Sequence, residues 1–200
     1  MTEKSSLRLI PDSQPMQLKD LGDDDLMRLA KLDRQDAFEV IVRRYQNLVL
    51  GLITRFFGEK DFARDIAQDV FLCLWAERSR YQARGLFRSY LVAMTLNRCR
   101  CVARSRKRQI LLFSKSTRID DRPINYPDLP LDELIERQRN QEVHKALTQL
   151  PEKCREVMIL RFTQLRSLEE ICELTGNPMG TVKSHLFRGV KQLHHMLQKV

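Results

Sequence analysis

The sequence predicts an all-α protein: two helical domains joined by a flexible linker, the second containing a helix-turn-helix. Apolar residues recur at spacings of three and four along most of the chain, which marks helices with one buried stripe. No segment alternates polar and apolar residues as a strand would, and no repeat of solenoid period occurs. Over residues 109–132 the periodicity lapses and Pro123, Pro127 and Pro130 appear, so the domain boundary falls there.

Residues 1–22 read as a flexible tail, polar and without period. The first domain is expected over 23–108. Asp23, Asp24 and Asp25 suit a helix N-terminus, where the macrodipole favours negative charge, and Leu26, Leu29 and Ala30 follow at helical spacing. A longer helix is predicted from about Asp36 to Phe57. It buries Phe38, Ile41, Val42, Tyr45, Val49, Leu52, Ile53 and Phe56, and Gly58 is its stop. A third, from about Asp61 to Ser79, turns Phe62, Ile66, Val70 and Leu74 inward. A fourth, from about Leu86 to Arg108, buries Phe87, Leu91, Met94 and Val102, and the loop 81–85 lies between them. The second domain is expected over 133–200. Helical pattern resumes near Leu131 and runs to Leu150, and Pro151 opens a helix carrying Val157, Met158, Leu160 and Phe162.

The sharpest local signal is SLEEICELTGNPMGTVKSHLFRGVKQL, residues 167–193. Ser167 and Glu170 form a capping box, each satisfying backbone donors that the first turn leaves unpaired. Gly176 suits the left-handed turn, Asn177 is expected to cap the second helix, and Pro178 to occupy its first position. Leu168, Ile171, Cys172, Val182, Leu186 and Val190 pack the pair together. Such a second helix enters a major groove by its N-terminal half. Thr181, Lys183, Ser184, His185 and Arg188 flank the packing stripe and are the candidate DNA contacts, since hydroxyls and cations there can reach phosphates and base edges. No acid occurs from residue 174 to 200. The plain alternative is a helical hairpin with a solvated basic face.

The net charge of +9 and pI of about 9.6 favour a polyanionic partner. From Arg78 to Ile119 there are twelve Lys and Arg and no Asp or Glu. The densest part is Arg98, Arg100, Arg104, Arg106, Lys107 and Arg108, which repel one another unless a polyanion is bound. Tyr81, Phe87 and Tyr90 lie upstream, and aromatic residues beside cations suit the stacking of unpaired bases. Tyr81, Arg84, Asn97, Arg98, Arg104, Arg106, Lys107 and Arg108 are therefore candidates for single-strand capture. For Phe87 by itself, core packing is the better reading.

In DIAQDVFLCLW (65–75), Asp65 and Asp69 are one helical turn apart and share a face. Asp65, Gln68, Asp69, Phe71 and Trp75 make a candidate protein-docking surface, since interface anchors are enriched in aromatic residues. Burial of Trp75 in the core is an equal alternative. The two acids lack the convergent ligands a catalytic metal needs. No glycine-rich phosphate loop, nucleophile elbow or HExxH motif occurs, which speaks against an enzyme. Neither a cofactor nor a metal is expected. The five cysteines are odd in number and sit in helical patterns, as reduced thiols do. No apolar run is long enough to span a bilayer and no secretory leader is present, so the expected location is the cytoplasm.

Five segments in this order resemble the small, extracytoplasmic-function sigma factors of the sigma-70 family. They are DAFEVIVRRY (36–45), DIAQDVFLCLW (65–75), FRSYLVAMTLNRCRCVARSRKR (87–108), LPEKCREVMILRF (150–162) and LEEICELTGNPMGTVKSHLFRGVKQL (168–193). The resemblance implies a transcription initiation factor that is not itself a catalyst. Residues near Asp65, Gln68, Asp69, Phe71 and Trp75 would bind core RNA polymerase. The loop 81–85 and the helix through Asn97 and Arg98 would capture and melt a −10 element. Thr181, Lys183, Ser184 and Arg188 would contact a −35 element of promoter DNA. An anti-sigma factor would be a partner. Cys172 and Gly189 stand where the family usually has Ala, and His185 where Arg is frequent. Two rival classes fit the residues less fully: a one-component regulator with a ligand-sensing first domain, and a helical adaptor for acidic proteins.

Overall fold

The computed structural model describes residues 18–58, 60–112 and 141–198, and every regular element among them is helical. A short 3-10 turn, Leu18–Asp20, leads into α1 (Asp23–Lys31) and α2 (Gln35–Phe57). Then come α3 (Lys60–Ala76), a 3-10 turn at Arg78–Arg80, and α4 (Phe87–Leu112). The second domain holds α5 (141–149), α6 (Glu152–Met158), α7 (Leu168–Thr175) and α8 (Met179–Leu197).

In the first domain α2 is the central post. Ile41, Val49, Leu52 and Ile53 are fully buried, against Ala63, Val70 and Leu74 of α3 and Leu91, Val92 and Leu96 of α4. Each of these Val, Leu and Ile side chains contributes roughly 1.5–3 kcal/mol on leaving water. Gly58 ends α2 at φ 88°, and its N–H donates to the Thr54 carbonyl at 2.7 Å. Helical structure is already present before the expected start at Asp23. Leu18 and Leu21 pack on the core, and Arg44 donates to the carbonyls of Lys19 and Leu21. Helix α4 runs to Leu112, past the expected end at Arg108. The rest of the expected linker (109–132), residues 1–17 of the expected tail and the start of the helix expected from Leu131 lie outside the described residues.

In the second domain α6 passes into a π-helical turn, Ile159–Thr163. The Thr163 hydroxyl donates to the Ile159 carbonyl at 2.6 Å, and the Gln164 N–H reaches the same oxygen at 3.2 Å. The widened turn carries Phe162 outward, 57% exposed. Leu165 follows at φ 52° and 84% exposed, a conformation that costs an L-residue roughly 1–2 kcal/mol.

The capping box forms as expected: the Glu170 N–H donates to Ser167 Oγ at 3.1 Å, and the Ser167 N–H to Glu170 Oε2 at 2.8 Å. Gly176 closes α7 at φ 67°. Pro178, not Asn177, is the N-cap of α8, because its extended backbone (φ −65°, ψ 153°) is what the half-in position requires. Helix α8 comes close to α6 at Gly189. A Cβ there would meet Met158 Cγ at 2.8 Å and Sδ at 3.2 Å. Val190, expected inside, is turned outward next to that contact.

The two domains pack against each other. Arg155 of α6 donates to the Phe56 carbonyl in the last turn of α2, and to the carbonyls of Thr148 and, at 2.8 Å, Leu150. His144 Nε2 lies 2.9 Å from the Thr54 carbonyl. The final carbonyls of a helix have no partner within it and attract donors and cations.

Candidate nucleic-acid and protein interfaces

Helix α4 spreads its cations over two sides. Asn97, Arg104 and Arg108 recur at spacings of seven and four and are exposed, with Lys107 beside them. Arg100 borders this stripe and donates to Asn97 Oδ1 at 2.8 Å. Its Nε and Nη2 reach Glu156 of α6 at 2.9 and 2.5 Å. Arg98 and Arg106 turn the other way, toward α3. Arg98 pairs with Asp69, and the Arg106 guanidinium lies 3.5 Å from the centre of the Phe62 ring, a cation–π contact. The cations at 98, 100, 104, 106, 107 and 108 thus fall on two sides, because at 3.6 residues per turn these positions spread around the helix.

Tyr81 is the main correction among the expected base-capturing residues. It is only 5% exposed, and its ring packs on Phe87 and Tyr90. Its hydroxyl donates to Asp24 at 2.5 Å, and Lys31 donates to its carbonyl. Burial and the neighbouring Asp24 push the Tyr81 hydroxyl pKa well up, and the same bond holds the Asp24 carboxyl below its usual range. Asp24 also accepts the Gly85 N–H at 2.7 Å, so α1 pins both ends of the loop 81–85. Sequence reasoning placed Asp24 at a helix N-terminus and missed this long-range role, which no local spacing signals. Arg84 and Gln82 remain exposed at the loop's tip and bond each other. Phe87 is buried, as the core reading has it.

Helices α2 and α3 leave an apolar groove between them, about 430 Å³, lined by Phe38, Val42, Phe71, Leu72 and Trp75 with Gln35 and Gln68 at its edge. Trp75 is half-buried: its ring lies 4.9 Å from Phe38, and the Arg78 guanidinium sits 4.1 Å above it. Leu72, which the expectation left out of the docking set, is 58% exposed in the groove wall. Asp65 and Gln68 are exposed and Asp69 is half-buried under Arg98.

On α8, Lys183 and Arg188 are exposed and Thr181 and Ser184 half-exposed. Ser184 Oγ accepts from Arg188 Nη2 at 2.7 Å, which presents the guanidinium on the outer face. Phe187, 70% exposed, stands beside them and was not among the expected contacts. His185 turns the other way: its Nδ1 lies 3.9 Å from Cys154 Sγ in α6. Burial, with Arg188 and Lys153 nearby, lowers the His185 pKa, against a smaller opposing effect of Glu156. It lies at the joint of α6 and α8 in this arrangement.

Among the described residues no cluster of His, Cys, Asp and Glu is placed to hold a metal ion, and no helix is long and apolar enough to cross a membrane.

Two family models match the chain: Sigma-70 region 2 over residues 41–109, and Sigma-70, region 4 over residues 140–193. The RNA polymerase sigma-H factor of Pseudomonas aeruginosa is 26% identical over 181 residues, covering 88% of this chain and 94% of the relative. The ECF RNA polymerase sigma factor SigW of Bacillus subtilis is 26% identical over 177 residues, covering 86% and 95%. Two solved structures share the fold at 22% identity. The sigma factor RpoE, in complex with the anti-sigma factor NepR from Bartonella quintana, aligns with TM-score 0.63 over 80% of this chain and 96% of its own. CnrH, in complex with the cytosolic domain of CnrY, aligns with TM-score 0.60 over 88% and 97%.

Proposed function

The chain belongs to the sigma-70 family as an extracytoplasmic-function type factor that directs RNA polymerase to promoters, and from that premise we propose which of its surfaces does what. The groove of α2 and α3, with Gln68, Phe71, Leu72 and Trp75 in its wall and Asp65 and Asp69 beside it, docks on core RNA polymerase. The exposed stripe of Asn97, Arg104, Lys107 and Arg108, with Arg84 at the loop tip, contacts the −10 element. Arg98 and Arg106 join it where they can leave Asp69 and Phe62. Tyr81 supports that loop from inside and stacks on no base. Thr181, Lys183, Ser184 and Arg188 contact the −35 element, while His185 holds α8 on α6. The domains are those of residues 18–112 and 141–198. RpoE was solved with the anti-sigma factor NepR, and we assign this chain a partner of that kind. Its place is the cytoplasm, and it supplies binding energy and specificity while polymerase makes RNA.

The observation that carries the reading is the order of parts in one chain: an apolar groove, a basic helix with an exposed stripe, and a capped helix-turn-helix with its cations outward. The test is gel filtration with bacterial core RNA polymerase, comparing the wild type with Gln68→Arg/Leu72→Glu, a pair of exposed positions. Co-elution of the wild type alone supports docking through the groove. Co-elution of both moves the docking surface elsewhere, and failure of both removes the polymerase reading.

A further inference from the structure

The joint between the domains contains a buried ion pair, and one of its members belongs to the basic helix. Glu156 of α6 is 1% exposed, and its Oε1 accepts from both Nε and Nη2 of Arg100. The Leu174 carbonyl at the end of α7 lies 3.4 Å from the same Nη2. With Asn97 Oδ1 on Nη1, Arg100 is surrounded by oxygen acceptors, one of them charged. An oxyanion held by Nε and Nη2 is also how an arginine takes a phosphate oxygen.

We propose that Glu156 occupies on Arg100 the place of a DNA phosphate, so that packing of the two domains and DNA binding by α4 exclude each other. The inference rests on the reading of the α4 stripe as a DNA contact. A carboxylate this deeply buried needs its cation, because left alone it is an uncompensated charge out of water. When Arg100 turns to a phosphate, Glu156 must reach solvent, and α6 must then leave α4. The other ties of the joint, Arg155 on the Phe56 carbonyl and His144 on the Thr54 carbonyl, involve backbone groups of α2 that DNA does not compete for. The exchange point is therefore the Arg100–Glu156 pair. The packed chain is the form that binds DNA weakly, and separation of the domains adds Arg100 to the stripe of Asn97, Arg104 and Arg108.

The test uses the full chain, with small-angle X-ray scattering for the domain arrangement. Fluorescence anisotropy on a labelled random-sequence duplex at low salt reports phosphate binding. Glu156→Gln keeps the shape of the side chain and removes its charge. It is expected to enlarge the radius of gyration and to tighten duplex binding about tenfold. Arg100→Gln is expected to expand the chain without that gain, since the phosphate contact goes with the lock. The exchange Arg100→Glu/Glu156→Arg is expected to restore the compact form. A Glu156→Gln chain as compact as the wild type, or an expanded one with unchanged affinity, overturns the proposal. If that variant loses helical circular dichroism, Arg100→Gln decides, and a compact Arg100→Gln chain overturns it. Absence of salt-sensitive DNA binding in every variant defeats the α4 reading itself, whatever the scattering shows.

Discussion

Tyr81 shows how one side chain changes meaning once its surroundings are known. In sequence it is an aromatic residue beside cations; in the fold it is a core ring with a hydroxyl tied to Asp24. Tyr81→Phe should cost about 1 kcal/mol, because the Asp24 carboxylate loses a donor, and Tyr81→Ala about 3–5 kcal/mol. Equal melting temperatures for wild type and Tyr81→Ala would show that the ring is not core. Leu165 gives a prediction of opposite sign. At φ 52° and almost fully exposed it carries strain without burial, so Leu165→Gly should stabilise the second domain, by up to about 1 kcal/mol after the extra freedom of the unfolded glycine is counted. A lower melting temperature would mean that the Leu165 side chain has a partner worth more than the strain. Gly189 was legible only as a poor helix former. The crossing with α6 explains it: Gly189→Val must displace Met158 and should destabilise by about 1–3 kcal/mol.

At the scale of elements, the α6–α8 joint predicts a pH response. Burial and the cations Arg188 and Lys153 hold the His185 imidazole below its ordinary pKa, with Glu156 opposing. The native state therefore binds fewer protons than the unfolded state, and stability is lost as pH falls below about 6.5, the unfolded value, until the native pKa is passed. Chemical denaturation of wild type and His185→Asn across that interval should show the steeper loss in the wild type; parallel curves would remove His185 from the joint. The helix-turn-helix was readable almost residue by residue, because capping and a left-handed glycine are local chemistry. Asn177 missed its role by one position, since Ncap choice depends on backbone angles that Pro178 sets. The π turn at Ile159–Thr163 breaks the α-helical period and leaves Phe162 exposed, which no local spacing signals.

For the whole molecule, the net charge of +9 is concentrated where α4 and α8 leave cations outward. Duplex binding should weaken steeply with salt, and Arg104→Ala and Arg108→Ala should each reduce the slope of log K against log salt by about 0.9. Titrations at several salt concentrations check this. A flat dependence would favour an adaptor for acidic proteins over a promoter-binding factor. Lys107 and Arg104 face solvent in the packed arrangement, while Arg100 does not, so their contributions should separate by variant.

The sequence by itself determined the helical class, the order of the elements, the stop at Gly58, the capping box at Ser167 and the outward cations of α8. Each rests on periodicity or on chemistry within one or two turns, which the chain carries in any surroundings. Only the tertiary structure decided that Tyr81 is a pillar of its loop, that Asp69 and Glu156 hold Arg98 and Arg100, that Leu72 joins Trp75 in one groove, and that Gly189 is a crossing point. Those are meetings of residues 29 to 57 positions apart, or of two helix faces. Charge and spacing along a chain say which side chains need a partner, and only the packing of helices says which partner is within reach.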